Sequence, residues 1–426
     1  MASAMRGVGG AGGGGDGDEA PWTKPVAVPE AAASKSGSDD GDGEWTTSFS
    51  GDKLRGGGDA ADAERASMRA FFDEHGFVVV RDALTPARVA ATVEEVWASP
   101  TLLGSNPDID RDDATTWGDE DWPVVDNNKG FLDAGDKTVL REAWRNMQDE
   151  TVVGAFQCVL GCDELWGSVD RFGVLRPAGV DRRWLTDVSW PHWDQHPWTE
   201  RGFQRVQGLI ALTPSPSTRD RGGFMCVPGF HRRFDAWADA HPDPDRDETK
   251  SRVSGGGRGM LARRGPTLVP RGDAIFDALR VVTLRAGSLV IWDSRLPHQN
   301  YPNLCDRADA GAGAFRIVQY QRYTRAADGD ADEARAVQAR ARESVAASAF
   351  SFGGRAAAAS LSFRGGGDGD GGGGDADADG DDESDDGPGF PDLLTPLGRR
   401  IVGLDLWPLH ANATAGDGDG DGDGDG

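Results

Sequence analysis

The sequence predicts an α+β protein, mainly β with flanking helices, set between acidic low-complexity tails. Three observations carry this. Residues 205–324 hold short β-rich runs parted by Gly, Pro and Asp: "RVQGLIALTPS", "GGFMCVPGF", "VVTLRAGSLVIWD" and "FRIVQYQRYT". Short strands at such intervals point to a sandwich or barrel, not to a parallel sheet of βαβ units. The helical patterns cluster before this region. The formal charge of −26 is concentrated outside it: segments 1–64, 365–390 and 411–426 hold 27 of the 71 acids and 5 of the 45 bases, leaving −4 for the rest.

Taking the chain in order, the Gly/Asp-rich stretch 1–63 cannot bury enough apolar surface to offset the entropy of ordering, and disorder is expected there. "ERASMRAFFDEHG" follows, with Met68, Phe71 and Phe72 at helical spacing and Gly76 as a stop. "FVVV" (77–80) reads as a strand. "LTPARVAATVEEVWASP" reads as a helix with Thr85 as N-cap and Pro86 in its first turn. One further helix is expected within 137–161. Residues 241–273 read as a long excursion from the sheet, and "DEARAVQARARESVAA" as a charged surface helix. The folded domain is placed at 64–360, with a disordered acidic linker at 361–390. The apolar segment 391–410 ("PDLLTPLGRRIVGLDLWPLH") is expected to dock back on the core, and a disordered Gly-Asp tail closes the chain at 411–426.

Cys158, Cys162, Cys226 and Cys305 form no disulfide framework and no paired zinc motif. No run approaches a membrane span of about 18 apolar residues, and the N-terminus has neither a secretory nor a transit composition. An intracellular, soluble, cytoplasmic protein is expected. The near-neutral central region gives no reason to expect a nucleic-acid partner.

Chemistry concentrates in "WPHWDQHPW" (190–198), which spends two of the chain's seven histidines. In a strand, His192 and Asp194 would share a face. Such a pair is common by chance, but "LRAGSLVIWDSRLPHQN" supplies His298 at the end of a later strand. Two histidines and one carboxylate make the facial triad of non-haem iron(II) oxygenases. Arg316, opening the next strand, suits a two-pronged pairing with the free carboxylate of a chelating 2-oxo acid such as 2-oxoglutarate. His196 and His231 read as structural residues, and Trp190, Trp193 and Trp292 as core.

From about residue 66 to 325 the chain resembles the phytanoyl-CoA dioxygenase family, through "FFDEHGFVVVRDALTP", "HWD", "GGFMCVPGFHR", "AGSLVIWDSRLPHQN" and "FRIVQYQR". The resemblance implies a double-stranded β-helix (jelly roll) and an iron(II)- and 2-oxoglutarate-dependent dioxygenase with O2 and a small molecule as substrates. His192, Asp194 and His298 would be the iron ligands, Arg316 would take the distal carboxylate of 2-oxoglutarate, Asn300 would be a polar contact to it and Trp198 a pocket wall. Related halogenases lack the carboxylate ligand, so Asp194 favours hydroxylation. The chain departs from the family pattern in the long His298–Arg316 gap, which contains "NLCDRADAGAG". A non-catalytic jelly-roll binding protein is the alternative reading.

Overall fold

A computed structural model describes residues 46–99, 102–120, 122–126, 130–132, 140–186, 190–216, 220–243, 266–307, 311, 313–352, 393–408 and 410. The expected disorder of 1–45, 361–390 and 411–426 lies outside the described residues.

Two sheets face each other. The larger has the order β1-β2-β11-β7-β13-β5-β4-β3, built from Phe49–Ser50, Phe77–Arg81, Leu289–Asp293, Val206–Ala211, Arg316–Arg325, Leu165–Leu175, Phe131–Leu132 and Val124–Asp126. The smaller has the order β10-β8-β12-β6-β9, from Arg280–Val282, Gly223–Cys226, His298–Tyr301, His192–Trp193 and Thr267–Leu268. This is the jelly roll that the motifs imply, with a lumen between the sheets.

Helices cover the outer face of the larger sheet, where α4 (Arg141–Met147) and α5 (Glu150–Leu160) meet β13. Gln319 donates to the Ala143 carbonyl at 3.1 Å and accepts from Asn146 at 2.8 Å, and the Tyr323 hydroxyl donates to the Met147 carbonyl. Period-two alternation therefore turns Arg316, Val318, Tyr320 and Arg322 toward the lumen.

The expected opening is present as α2 (Asp59–His75), β2 and α3 (Pro86–Ala98). Gly76 caps α2 at φ +75°, and the Thr85 side chain accepts from the Arg88 N–H at the start of α3. Four expectations need correction. Disorder through residue 63 is wrong, because β1 pairs parallel with β2 and α1 (Gly51–Arg55) follows it. Phe49 packs edge-on against Phe71, and Leu54 is buried. The helix of 137–161 is two helices, since Asp149 leaves helical conformation to cap α5 through the Thr151 N–H. "VVTLRAGSLVIWD" is two strands in different sheets, β10 and β11. The chain turns between them at Gly287 (φ +81°), where a Cβ would meet the Leu84 carbonyl at 2.7 Å. His298 does not end β11 either; it opens the separate strand β12.

The segment 393–408 packs against β5. The Trp407 indole donates to the Leu165 carbonyl at 3.0 Å, Gln148 donates to the Leu393 carbonyl at 2.9 Å, and Ile401 of the helix Pro396–Val402 is fully buried. No described helix is long and apolar enough to cross a membrane.

Candidate metal centre and cosubstrate site

The smaller sheet assembles the expected triad. β12 runs antiparallel to β6 with His298 directly opposite His192, and the two ring centroids are 4.3 Å apart. Asp194 lies one residue beyond β6, just past the strand and not within it. Its carboxylate oxygens stand 3.7 Å from His192 Nε2 and 3.5 Å from His298 Nε2. One ligand atom from each residue lies within 4.8 Å of the others, the only such His/Cys/Asp/Glu group among the described residues.

The surroundings fix which atoms face inward. His192 Nδ1 donates to the Trp190 carbonyl at 3.4 Å and His298 Nδ1 to the Leu296 carbonyl at 3.0 Å. With Nδ1 protonated, each Nε2 keeps its lone pair for a metal, the usual outer support of a ligating histidine. Trp190 stacks on His192 at 4.7 Å and holds the ring plane. The Trp292 indole donates to Asp194 Oδ2 at 3.0 Å. Arg205, paired with Glu200 at 2.7 Å, donates to the Asp194 carbonyl at 2.9 Å and pins the turn that carries it. Burial works to raise the Asp194 carboxyl. His298, His192 and the indole N–H outweigh it and hold the group below the ordinary carboxylate range. Two imidazoles and a carboxylate fit iron(II) and leave coordination positions open.

Arg316 is fully buried on the lumen face of β13. One Nη donates to Asn300 Oδ1 at 3.3 Å, while Nε and the other Nη have no partner. Burial draws its pKa down, and only the Tyr320 and Tyr301 hydroxyls act against that. Asn300 also donates to the Tyr320 hydroxyl at 3.1 Å. A buried guanidinium without a carboxylate is costly, and an entering carboxylate relieves that cost. The triad lines a pocket of about 380 Å³, including its open mouth, whose wall also holds Asn300 and Tyr320; Arg316 lies behind these two, bonded to Asn300.

Other expected positions fall outside the pocket. Trp198 is not a pocket wall: its indole donates to the His241 carbonyl at 2.9 Å and its ring packs 5.8 Å from Trp237 of α6 (Phe234–Ala240). His196 bonds Thr199 at 2.9 Å, and His231 reaches the Asp73 carbonyl at 3.1 Å. Trp190, Trp193 and Trp292 are all buried, and Trp190 and Trp292 also line the pocket. Phe131, Arg171, Gln207, Phe224 and Tyr320 also line it and were not singled out in the sequence. The signal for Arg171 was available in principle, as a cation inside an otherwise strand-like "LWGSVDRFGVL".

Residues 72–308, more than half of the chain, match the model of the phytanoyl-CoA dioxygenase family. The chain belongs to that family. Among curated relatives it is similar to Ava biosynthesis cluster protein O of Aspergillus versicolor, at 25% identity over 54% of this chain and 70% of that protein. It is also similar to a putative phytanoyl-CoA dioxygenase of Dictyostelium discoideum, at 20% identity over 55% and 70%. Among solved structures it is similar to the non-haem α-ketoglutarate-dependent epimerase SnoN from nogalamycin biosynthesis, at 20% identity over 62% of this chain and 84% of that one, with a TM-score of 0.37. The expected iron and 2-oxoglutarate agree with the family and with the donor set at the triad. Arg316 lies beyond the matched span.

Proposed function

We propose that the protein is an iron(II)- and 2-oxoglutarate-dependent dioxygenase. In this reading it hydroxylates an aliphatic C–H of a small-molecule or lipid-like substrate and releases succinate and CO2. The observation that carries the reading is Arg316, a buried guanidinium with two unpartnered nitrogens in the lumen that holds a His-Asp-His triad. When bound, iron and 2-oxoglutarate supply the activation of O2, one oxygen atom passing to succinate and the other to the substrate. His192, Asp194 and His298 hold the metal. Arg316, set by Asn300 and Tyr320, receives the far carboxylate of the cosubstrate and so fixes its orientation. Trp190, Phe224 and Trp292 give the pocket apolar walls that hold a C–H substrate and keep bulk water away. The carboxylate ligand favours hydroxylation over halogenation. Four free cysteines suit a reducing, cytoplasmic setting.

The test is succinate release by iron-loaded protein across a panel of candidate substrates. Substrate-stimulated succinate with a product heavier by one oxygen atom supports hydroxylation. Stimulated succinate with an isomerised or desaturated product would keep the oxygenase and replace the hydroxylase. No stimulation by any substrate, with no 2-oxoglutarate binding, would return the protein to a binding module.

A further inference from the structure

Arg316, fully buried, is one of two cations on the lumen face of β13; the second is part-buried. The other is Arg322, six residues on, the same side of the strand by the two-residue repeat and about 20 Å away along it at 3.3 Å per residue. Its Nε is buried without a partner, and it makes no ion pair among the described residues. Its strand neighbours are Gln207, which lines the pocket, and Ser168, which is exposed, so the lumen reaches solvent at this end.

A second cation is brought to the same place by an irregularity in β5. Between the pairs Gln319↔Phe172 and Gln321↔Val169, β5 carries one residue more than β13, a bulge that contains Asp170 and Arg171. Bulges re-aim side chains. Here the Arg171 guanidinium lies 4.6 Å over the Phe131 ring and 5.7 Å from that of Tyr320, in the pocket wall, with its side chain 47% exposed. The local charges do not balance. Arg205 is taken by Glu200 at 2.7 Å, Asp170 lies 3.6 Å from Arg171, and Asp194 belongs to the triad. With Asp194 left to the triad, though it also acts on Arg322, the guanidiniums of Arg171, Arg205 and Arg322 face the carboxylates of Asp170 and Glu200.

We propose that Arg171 and Arg322 form an anion subsite for the primary substrate, which carries a carboxylate or phosphate group there while its apolar part lies along Phe131, Trp190, Phe224 and Trp292. The proposal rests on the reading of Arg316 as the 2-oxoglutarate residue, which leaves Arg171 and Arg322 for a different ligand. Rings under a guanidinium hold its plane while leaving its N–H edge to the ligand, so Arg171 is preorganised for such an anion.

Ligand-detected NMR on the metal-free full chain tests this, since no anion is then held through iron. The probes are a panel of small aliphatic and aromatic carboxylic acids, their primary amides, and matched phosphate esters and alcohols. At least one anion is expected to bind tenfold or more tightly than its neutral counterpart, and the acid and phosphate arms tell which group is taken. That preference is expected to fall at least tenfold in Arg171→Gln and Arg322→Gln, to return in part in Arg322→Lys, and to persist in Arg316→Gln. Arg171 is half-exposed, so its variant decides the matter even if Arg322→Gln does not fold. Absence of any anion preference across the panel, absence of binding included, overturns the proposal. So does a preference lost in Arg316→Gln alone, which would leave the cosubstrate reading standing. If 2-oxoglutarate itself, titrated in the same variants, depended on Arg322 and not on Arg316, both readings would fall together.

Discussion

Asp194 depends on neighbours that no motif announces. Trp292 donates to its carboxylate and Arg205 to its main-chain carbonyl, so the ligand is held from both ends. Removing the partner of a metal ligand usually weakens the site by about 10–100-fold. Trp292→Phe keeps an aromatic ring in the pocket and removes only the donor, and metal affinity measured against a competing chelator is expected to drop within that range. An unchanged affinity would show that the indole only fills space. The ligands themselves were legible because each sits in a short aromatic motif and His-x-Asp has its own spacing. Gln207 and Tyr320 were not, because their place in the pocket is set by pairing between distant strands, and for Arg171 the sequence offers only a cation in a strand-like run, without the bulge that aims it. Trp198 misled for a related reason: closeness in sequence to His192 does not say which way a loop turns, and this one turns its indole to the His241 carbonyl.

Elements with regular alternation or clear caps were readable, and those whose pattern is broken were not. β2, β7, β8, β11 and β13 follow apolar runs, and α3 follows its Thr-Pro start. β5 escaped notice because its bulge interrupts the alternation with Asp170 and Arg171, and β12 because "HQNY" is short and polar. Two predictions belong here. His231 ties the turn after β8 to the C-terminal end of α2, with Nδ1 buried and unpartnered. Burial lowers its pKa, Asp293 and the Asp73 carbonyl oppose this, and Arg295 and Arg232 add to it. As pH falls through the unfolded-state value near 6.5, the unfolded chain takes up a proton that the folded chain accepts only at lower pH, so stability falls. His231→Gln is expected to flatten that part of the stability–pH curve, as read by urea unfolding between pH 7.5 and about 5. An unaltered slope would assign it to other groups, His75 among them. The second concerns the segment 393–408. Trp407 is 6% exposed and bonds Leu165, so Trp407→Ala is expected to cost about 3–5 kcal/mol in urea unfolding. A loss below about 1 kcal/mol would mean that the segment contributes little.

At the scale of the whole molecule, the lumen is built by two sheets whose strands come from nearly every part of the described chain. Composition alone marked where order should start and missed by some eighteen residues. "WTTSFSGDKL" is polar, yet Phe49 and Leu54 find cover against α2 and β2, and no count of charges reveals that. Deletion of 1–58 removes both side chains, whose burial is worth about 1.5–3 kcal/mol each, and is expected to lower the melting temperature clearly below that of a 1–45 deletion. Equal melting of the two would show that β1 and α1 add nothing. The central claim is that one lumen holds a metal on three residues and a dicarboxylate on a fourth, and it is tested most directly by anaerobic titration. Iron(II) and then 2-oxoglutarate are added to the native chain, to alanine variants of His192, Asp194 and His298, and to Arg316→Ala. The native chain is expected to bind one iron and one 2-oxoglutarate, and each triad variant to lose the iron while staying folded. Arg316→Ala should keep the iron and bind 2-oxoglutarate about tenfold to several thousandfold more weakly, the scale of about 2–5 kcal/mol for breaking a buried charge pair. Full metal occupancy in all three triad variants, or native 2-oxoglutarate affinity in Arg316→Ala, would contradict it.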